Sequence, residues 1–141
     1  MDRGRFDFPT TLARIARMAF AVRAEFKNVP IVVGIESNAY QAAVPQSLKS
    51  RPKDFPFPIK AIKTSQSKFL RISQFAVHVE NGTYLLRQGD KDQQAIYDEM
   101  VVYPTSEFDD AVDMAAMGTD LLLGMVGKSK IGDFWVPASG N

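Results

Sequence analysis

Pro30-Ile31-Val32-Val33-Gly34-Ile35-Glu36 decides the fold class. A nearly unbroken β-branched run of this length reads as a strand buried on both faces, as in the middle of an α/β sheet. The acid that closes it is unusual. A carboxylate leaving a buried strand is costly unless it is paired, hydrogen-bonded or metal-bound.

On the N-terminal side of this run, Pro9-Thr10-Thr11 opens a helical pattern. Leu12, Ile15, Ala16, Ala19, Phe20 and Phe26 recur at three- and four-residue steps, with Arg14, Arg17 and Arg23 interleaved. The spacing predicts an amphipathic helix of about four turns that covers one face of a sheet. On the other side, Ser37-Asn38 is a cap signal for a helix from Ala39 to about Leu48, which Pro45 would shorten or kink. The proline-rich stretch 50–58 is a loop. Ile59-Lys60-Ala61-Ile62-Lys63 then alternates apolar and basic residues, as a short strand with one wet face does.

Thr64-Ser65-Gln66-Ser67 is a further cap signal, leading into Lys68-Phe69-Leu70-Arg71-Ile72-Ser73-Gln74-Phe75. Beyond it, Asn81-Gly82 admits two readings: a hairpin turn between residues 75–80 and 83–86, or the end of a helix. Asp90 caps a helix from Lys91 to Val101 with Ile96, Tyr97 and Met100 on its inner side, stopping before Pro104. The last helix begins at Phe108-Asp109-Asp110-Ala111-Val112-Asp113-Met114 and runs on through Ala115, Ala116, Leu121, Leu122, Leu123 and Met125. On a helix the three acids share a face, because residues three and four apart are neighbours. They repel one another unless a cation, a basic partner or open water compensates. The plainer alternative is that one Asp caps the helix and the others complement its dipole.

Composition narrows the function classes. At 141 residues the chain has the length of one domain, and 10 Phe give its core bulk. Lys and Arg total 17 against 16 acids, so any nucleic-acid contact needs a local basic patch rather than overall charge. The absence of cysteine removes disulfides and zinc-thiolate sites, which fits a reducing compartment. No apolar run is long enough to span a bilayer, and Met1-Asp2-Arg3-Gly4-Arg5 does not open like a signal peptide. The expectation is a cytoplasmic protein without a membrane partner. Gly124-Met125-Val126-Gly127-Lys128-Ser129 ends like a phosphate-binding loop, but Leu122 stands where its first glycine belongs, and a helix rather than a strand precedes it. Alternating strands and helices give an α/β layer fold with functional groups at strand ends. Glu36 and the acids at 109, 110 and 113 offer the hard oxygen donors that a Mg²⁺ or Mn²⁺ site needs, the alternative being that Glu36 pairs with an arginine of the first helix.

Several segments occur in an order that resembles a known family. They are Arg3-Gly4-Arg5-Phe6, then Ile35-Glu36-Ser37-Asn38-Ala39-Tyr40-Gln41, then Lys68 with Arg71, and finally Tyr103-Pro104 leading into Phe108-Asp109-Asp110-Ala111-Val112-Asp113. Together they are similar to the C-terminal nuclease domain of the large terminase subunit of tailed phages and prophages, over roughly Arg3 to Met125. The resemblance implies an RNase H-like mixed sheet flanked by helices, with residues 1–127 as a partial nuclease domain; beyond Gly127 the small, polar, Gly-rich composition predicts a loosely held tail at 128–141 apart from Phe134-Trp135. The resemblance also implies a two-metal endonuclease using Mg²⁺ or Mn²⁺ on double-stranded DNA in the cytoplasm of a bacterial host. Glu36 matches a catalytic acid, and so does Asp110 or its neighbour Asp109. Asp113 supports the metal site or holds a basic group. Lys68 and Arg71 fall on basic positions of the family and, with Lys63, form the candidate DNA contacts. The family pattern also favours a helix through about Val79, a turn at Asn81-Gly82 and an edge strand at Tyr84, with His78 as a structural residue. The family's first catalytic Asp belongs to a segment before Arg3, and Asp2 and Asp7 lie too close to the first helix to replace it. The chain is therefore expected to lack leading strands and one metal ligand, and to have a sheet edge covered by a second copy or an upstream polypeptide. Phe108 replaces a residue that is often polar or His in relatives. The alternative is a catalytically silent prophage remnant that binds DNA or assists assembly.

Overall fold

The computed structural model describes residues 5–36 and 43–126. The chain is mixed α/β, with five helices and a two-stranded parallel sheet among the described residues. It divides into two compact units, residues 1–65 and 66–141.

The first unit begins with α1 (Phe8–Glu25), whose start is fixed locally. Asp7 accepts the Thr10 amide at 2.8 Å and Pro9 stands in the first turn, where no intrahelical N–H is needed. The hydrogen bonds from Thr10 hold the Asp7 carboxyl below its usual range. Of the expected stripe, Leu12, Ile15, Ala16 and Ala19 pack with Val44, Leu48, Phe55 and Phe57, whereas Phe20 and Phe26 are exposed. Phe55 and Phe57 come from the proline-rich loop, which contributes core that composition alone reads as a connector. Phe20 and Phe55 each meet Phe57 edge-on at about 5 Å between centroids.

β1 (Val33–Glu36) pairs in parallel with β2 (Ile59–Ile62), with Val33 opposite Ile59 and Glu36 opposite Ile62. The connection between them contains α2 (Ala43–Lys49), in which Pro45 is the third residue and is accommodated in the first turn. The expected cap at Ser37-Asn38 and helix residues 39–42 lie outside the described residues. The expectation of a strand buried on both faces is corrected: Val33, Ile35 and Glu36 are half-buried and Gly34 is exposed. β1 has one hydrogen-bonded neighbour among the described residues, and Val33 and Ile35 pack on the core beside Ile59.

The second unit is helical. α3 (Lys68–Glu80), α4 (Lys91–Val102) and α5 (Asp110–Val126) enclose a core of Ile72, Phe75, Ile96, Ala111, Val112, Ala115 and Ala116. The Ser67 hydroxyl caps α3 by accepting the Leu70 amide at 3.2 Å, and Asp90 caps α4 by accepting those of Asp92 and Gln93 at 3.0 and 3.1 Å. At Asn81-Gly82 the helix ending prevails over the hairpin. The Gly82 amide bonds to the Val79 carbonyl and the Thr83 amide to that of His78, the paired bonds of a Schellman motif, with Gly82 at φ +70°. The expected edge strand at Tyr84 is absent for the same reason: its amide also bonds to the His78 carbonyl at 3.0 Å and is not free for a ladder. Tyr84 instead packs edge-on against Phe75. One other expectation is corrected. Tyr97 is exposed rather than inward, its place on the inner face of α4 being taken by Glu99; on α5, Leu122 and Leu123 are exposed.

Because nothing lies within 4 Å of a Cβ added at Gly82, the cost of a side chain there is purely that of the left-handed backbone. Gly82→Ala is expected to lower stability by about 1 kcal/mol in urea unfolding, and Gly82→Asn by less.

Candidate functional site

The acidic stretch at the start of α5 faces the first two turns of α3. Lys68, Arg71, Asp109, Asp110 and Asp113, five of the residues singled out in the sequence, come together there. The cluster has a dry and a wet part.

The dry part is the pair Arg71–Asp113. Arg71 Nε and Nη2 donate to the two Asp113 oxygens at 2.9 and 2.8 Å, and Nη1 donates to the Gln66 carbonyl at 2.8 Å. Both residues are 8% exposed, so this bidentate pair is almost fully desolvated. Of the two roles the resemblance allowed Asp113, supporting a metal or holding a basic group, the geometry is that of the second. Arg71 is directed inward by the same contact.

The wet part is centred on Lys68. Its ammonium lies 2.5 Å from Asp109 Oδ1, 3.3 Å from Asp110 Oδ1 and 3.9 Å from Asp113 Oδ2. Burial pushes the Lys68 pKa down, but the hydrogen bonds to Asp109 and Asp110 and the attraction of their charges outweigh it, so the group sits above its ordinary 10.5. The Asp110 side chain is 82% exposed, whereas those of Asp109 and Lys68 are about one-third exposed.

None of the three aspartates caps α5. The amides of Ala111 and Val112 donate to one oxygen of Glu99, at 2.7 and 3.0 Å. Glu99 is 7% exposed and reaches the helix start from α4. Sequence reasoning missed it. The available signal was an acid three residues after Ile96 and one before Met100, inside the stripe that faces the core.

In the first unit, Glu36 closes β1 and accepts a hydrogen bond from Thr64 Oγ1 at 3.0 Å. It is half-buried, so the hydroxyl and solvent compensate the carboxylate and its position alone does not demand a metal. Lys63 directly follows β2 and is exposed. As donors for a hard cation, the Asp110 and Asp109 carboxylates fit by chemistry and access, while both Asp113 oxygens are committed to Arg71. Among the described residues, no three Asp, Glu, His or Cys side chains converge as a ready-made metal cage. No helix among them is long and apolar enough to cross a membrane. Comparison with protein-family profiles, curated proteins and solved structures finds no match to this chain.

The two halves of the cluster differ sharply in expected energetics. Asp113→Ala strands a buried guanidinium and should destabilise by about 3–5 kcal/mol, whereas Lys68→Met, at a partly exposed pair, should stay within about 1 kcal/mol. Urea unfolding of both variants checks the contrast. The Tyr84 phenol is also raised above its ordinary 10.0, by burial. With both groups raised in the folded state, their contribution is fully present below those ordinary values and is lost as pH climbs through the higher folded ones. Stability should therefore fall as pH rises past 10.0 and 10.5 toward the higher folded values, and the Lys68→Met/Tyr84→Phe double variant should flatten that fall.

Proposed function

We propose that the chain is a terminase-type nuclease domain, RNase H-like in ancestry, whose chemistry is metal-dependent hydrolysis of phosphodiester bonds in double-stranded DNA in the cytoplasm of a bacterial host. The observation that carries the reading is the exposed Asp110 carboxylate beside Asp109 at the start of α5, with the Lys68 ammonium between them. A surplus aspartate used only as a cap or dipole complement has no need of this arrangement, because Glu99 already serves the helix amides.

In this reading Asp110, with Asp109, supplies ligand oxygens in the second unit, and Glu36, in the first, is the other acid that the resemblance marks as catalytic. Bound Mg²⁺ or Mn²⁺ supplies Lewis acidity toward the scissile phosphate and an activated water. Asp113 keeps Arg71 neutralised and thereby fixes the register of α3 against α5. Lys68 and the exposed Lys63 are the candidate phosphate contacts, acting as mobile point charges. The same reading gives the short β1–β2 pair further strands from a second copy or another polypeptide.

A second reading is favoured by one observation. The Lys68 ammonium already compensates Asp109 and reaches Asp110, which suits a silent DNA-binding or assembly module as well as a cation site.

Incubation of supercoiled plasmid with the protein and Mg²⁺ or Mn²⁺ separates the two. The nuclease reading expects nicking that requires the cation and falls by about 100-fold or more in Asp110→Asn, since even outer-sphere changes at metal sites cost about 10–100-fold. Plasmid binding without nicking under either cation overturns it in favour of the silent module.

A further inference from the structure

Asp109 precedes α5 at the position where α1, α3 and α4 use the residue's own side chain as a cap. Asp7, Ser67 and Asp90 each turn an oxygen onto the amides of the helix they precede. The comparison with Asp90 is exact in register: its Oδ1 accepts the second and third helical amides of α4, those of Asp92 and Gln93. Asp109 holds the same place before α5, and its carbonyl accepts the Asp113 amide at 3.1 Å as an N-cap carbonyl does. Yet its carboxylate turns to Lys68, because the second and third amides, those of Ala111 and Val112, are taken by Glu99.

We propose that Glu99 is a positioning residue for the acidic cluster: by occupying the two α5 amides from α4, it keeps Asp109 out of the cap and aimed at Lys68 beside Asp110. The inference follows from competition for a fixed set of donors. The free α5 start presents two amides and a partial positive charge, and whichever carboxylate is seated there is unavailable elsewhere. With Glu99 in place the seat is filled from outside the helix, and the Asp109–Asp110 pair is released as a unit. Without it, Asp109 has a one-rotamer route to the cap that Asp90 already takes in α4.

The consequence for metal binding rests on the nuclease reading, whereas the positioning itself does not. The test is a double-mutant cycle of Lys68→Met and Asp109→Ala, read by urea unfolding of the full chain in three backgrounds: wild type, Glu99→Ala and Glu99→Gln. The cycle should show coupling between Lys68 and Asp109 in wild type and in Glu99→Gln, whose carbonyl oxygen can still accept both amides. In Glu99→Ala the coupling should be lost, because Asp109 has moved to the cap. Should Glu99→Ala not fold, Glu99→Asp withdraws the carboxylate by one methylene and should also lose it. Coupling that persists unchanged in Glu99→Ala or Glu99→Asp would overturn the proposal and leave Glu99 a structural cap alone. Mn²⁺ titration of the same proteins separates this inference from the nuclease reading: affinity should fall at least tenfold in Glu99→Ala and be retained in Glu99→Gln. A wild type that binds no Mn²⁺ removes the nuclease reading while the coupling cycle still decides the role of Glu99.

Discussion

The second unit depends on a guanidinium taken out of water. Arg71 sits inside the contact of α3 with α5, and nothing apolar could replace Asp113 opposite it without stranding the charge. The pair fixes both the rotation of α3 and the position of the α5 start along it, because a bidentate fork tolerates little sliding. Ile72, directly after Arg71, and Val112, directly before Asp113, are among the most deeply buried side chains, so polar register and apolar packing are set at the same level of the two helices. A partly exposed pair such as Lys68–Asp109 could not serve this purpose, since solvent and side-chain entropy erode its contribution.

From that anchor the cluster is graded outward. Asp113 is spent on structure, Asp109 is shared with Lys68, and Asp110 stands in solvent beside the same ammonium. The gradient resolves the repulsion among three acids on one helix face. One is neutralised in the interior, one at the boundary, and the last is left as an accessible hard-oxygen donor. Glu99 makes this possible by serving the helix amides from a neighbouring element.

What the sequence made legible was local. The caps at Ser67 and Asp90 are properties of a few consecutive residues and lie where their patterns put them, whereas Asn81-Gly82 fits a hairpin as well as a helix ending and only the structure decides between them. The mixed α/β class also follows from chain order, whereas the parallel pairing of the two strands is known only from the structure. The failures come from interactions between distant residues. The burial of β1 was overestimated because an apolar run records what a strand could bury, and the number of its neighbours is a tertiary fact. The strand at Tyr84 was lost to a helix ending that consumed its amide. Arg71 was marked as a phosphate contact and Asp113 as either a metal-site residue or the holder of a basic group, and it is with each other that they pair. Glu99 escaped notice because a cap supplied from another helix leaves no signature in the segment that it caps.

The proposed function requires the α5 start to be an open cation-binding surface and more than a neutralised helix terminus. Paramagnetic broadening by Mn²⁺ in an amide-resolved NMR spectrum tests this most directly, because the ion marks the backbone near which it dwells. At substoichiometric Mn²⁺ the account predicts that resonances of residues 108–113 broaden first, and that Asp110→Asn removes the effect. Broadening spread evenly over the exposed acids of the chain, or none at these residues, would contradict it.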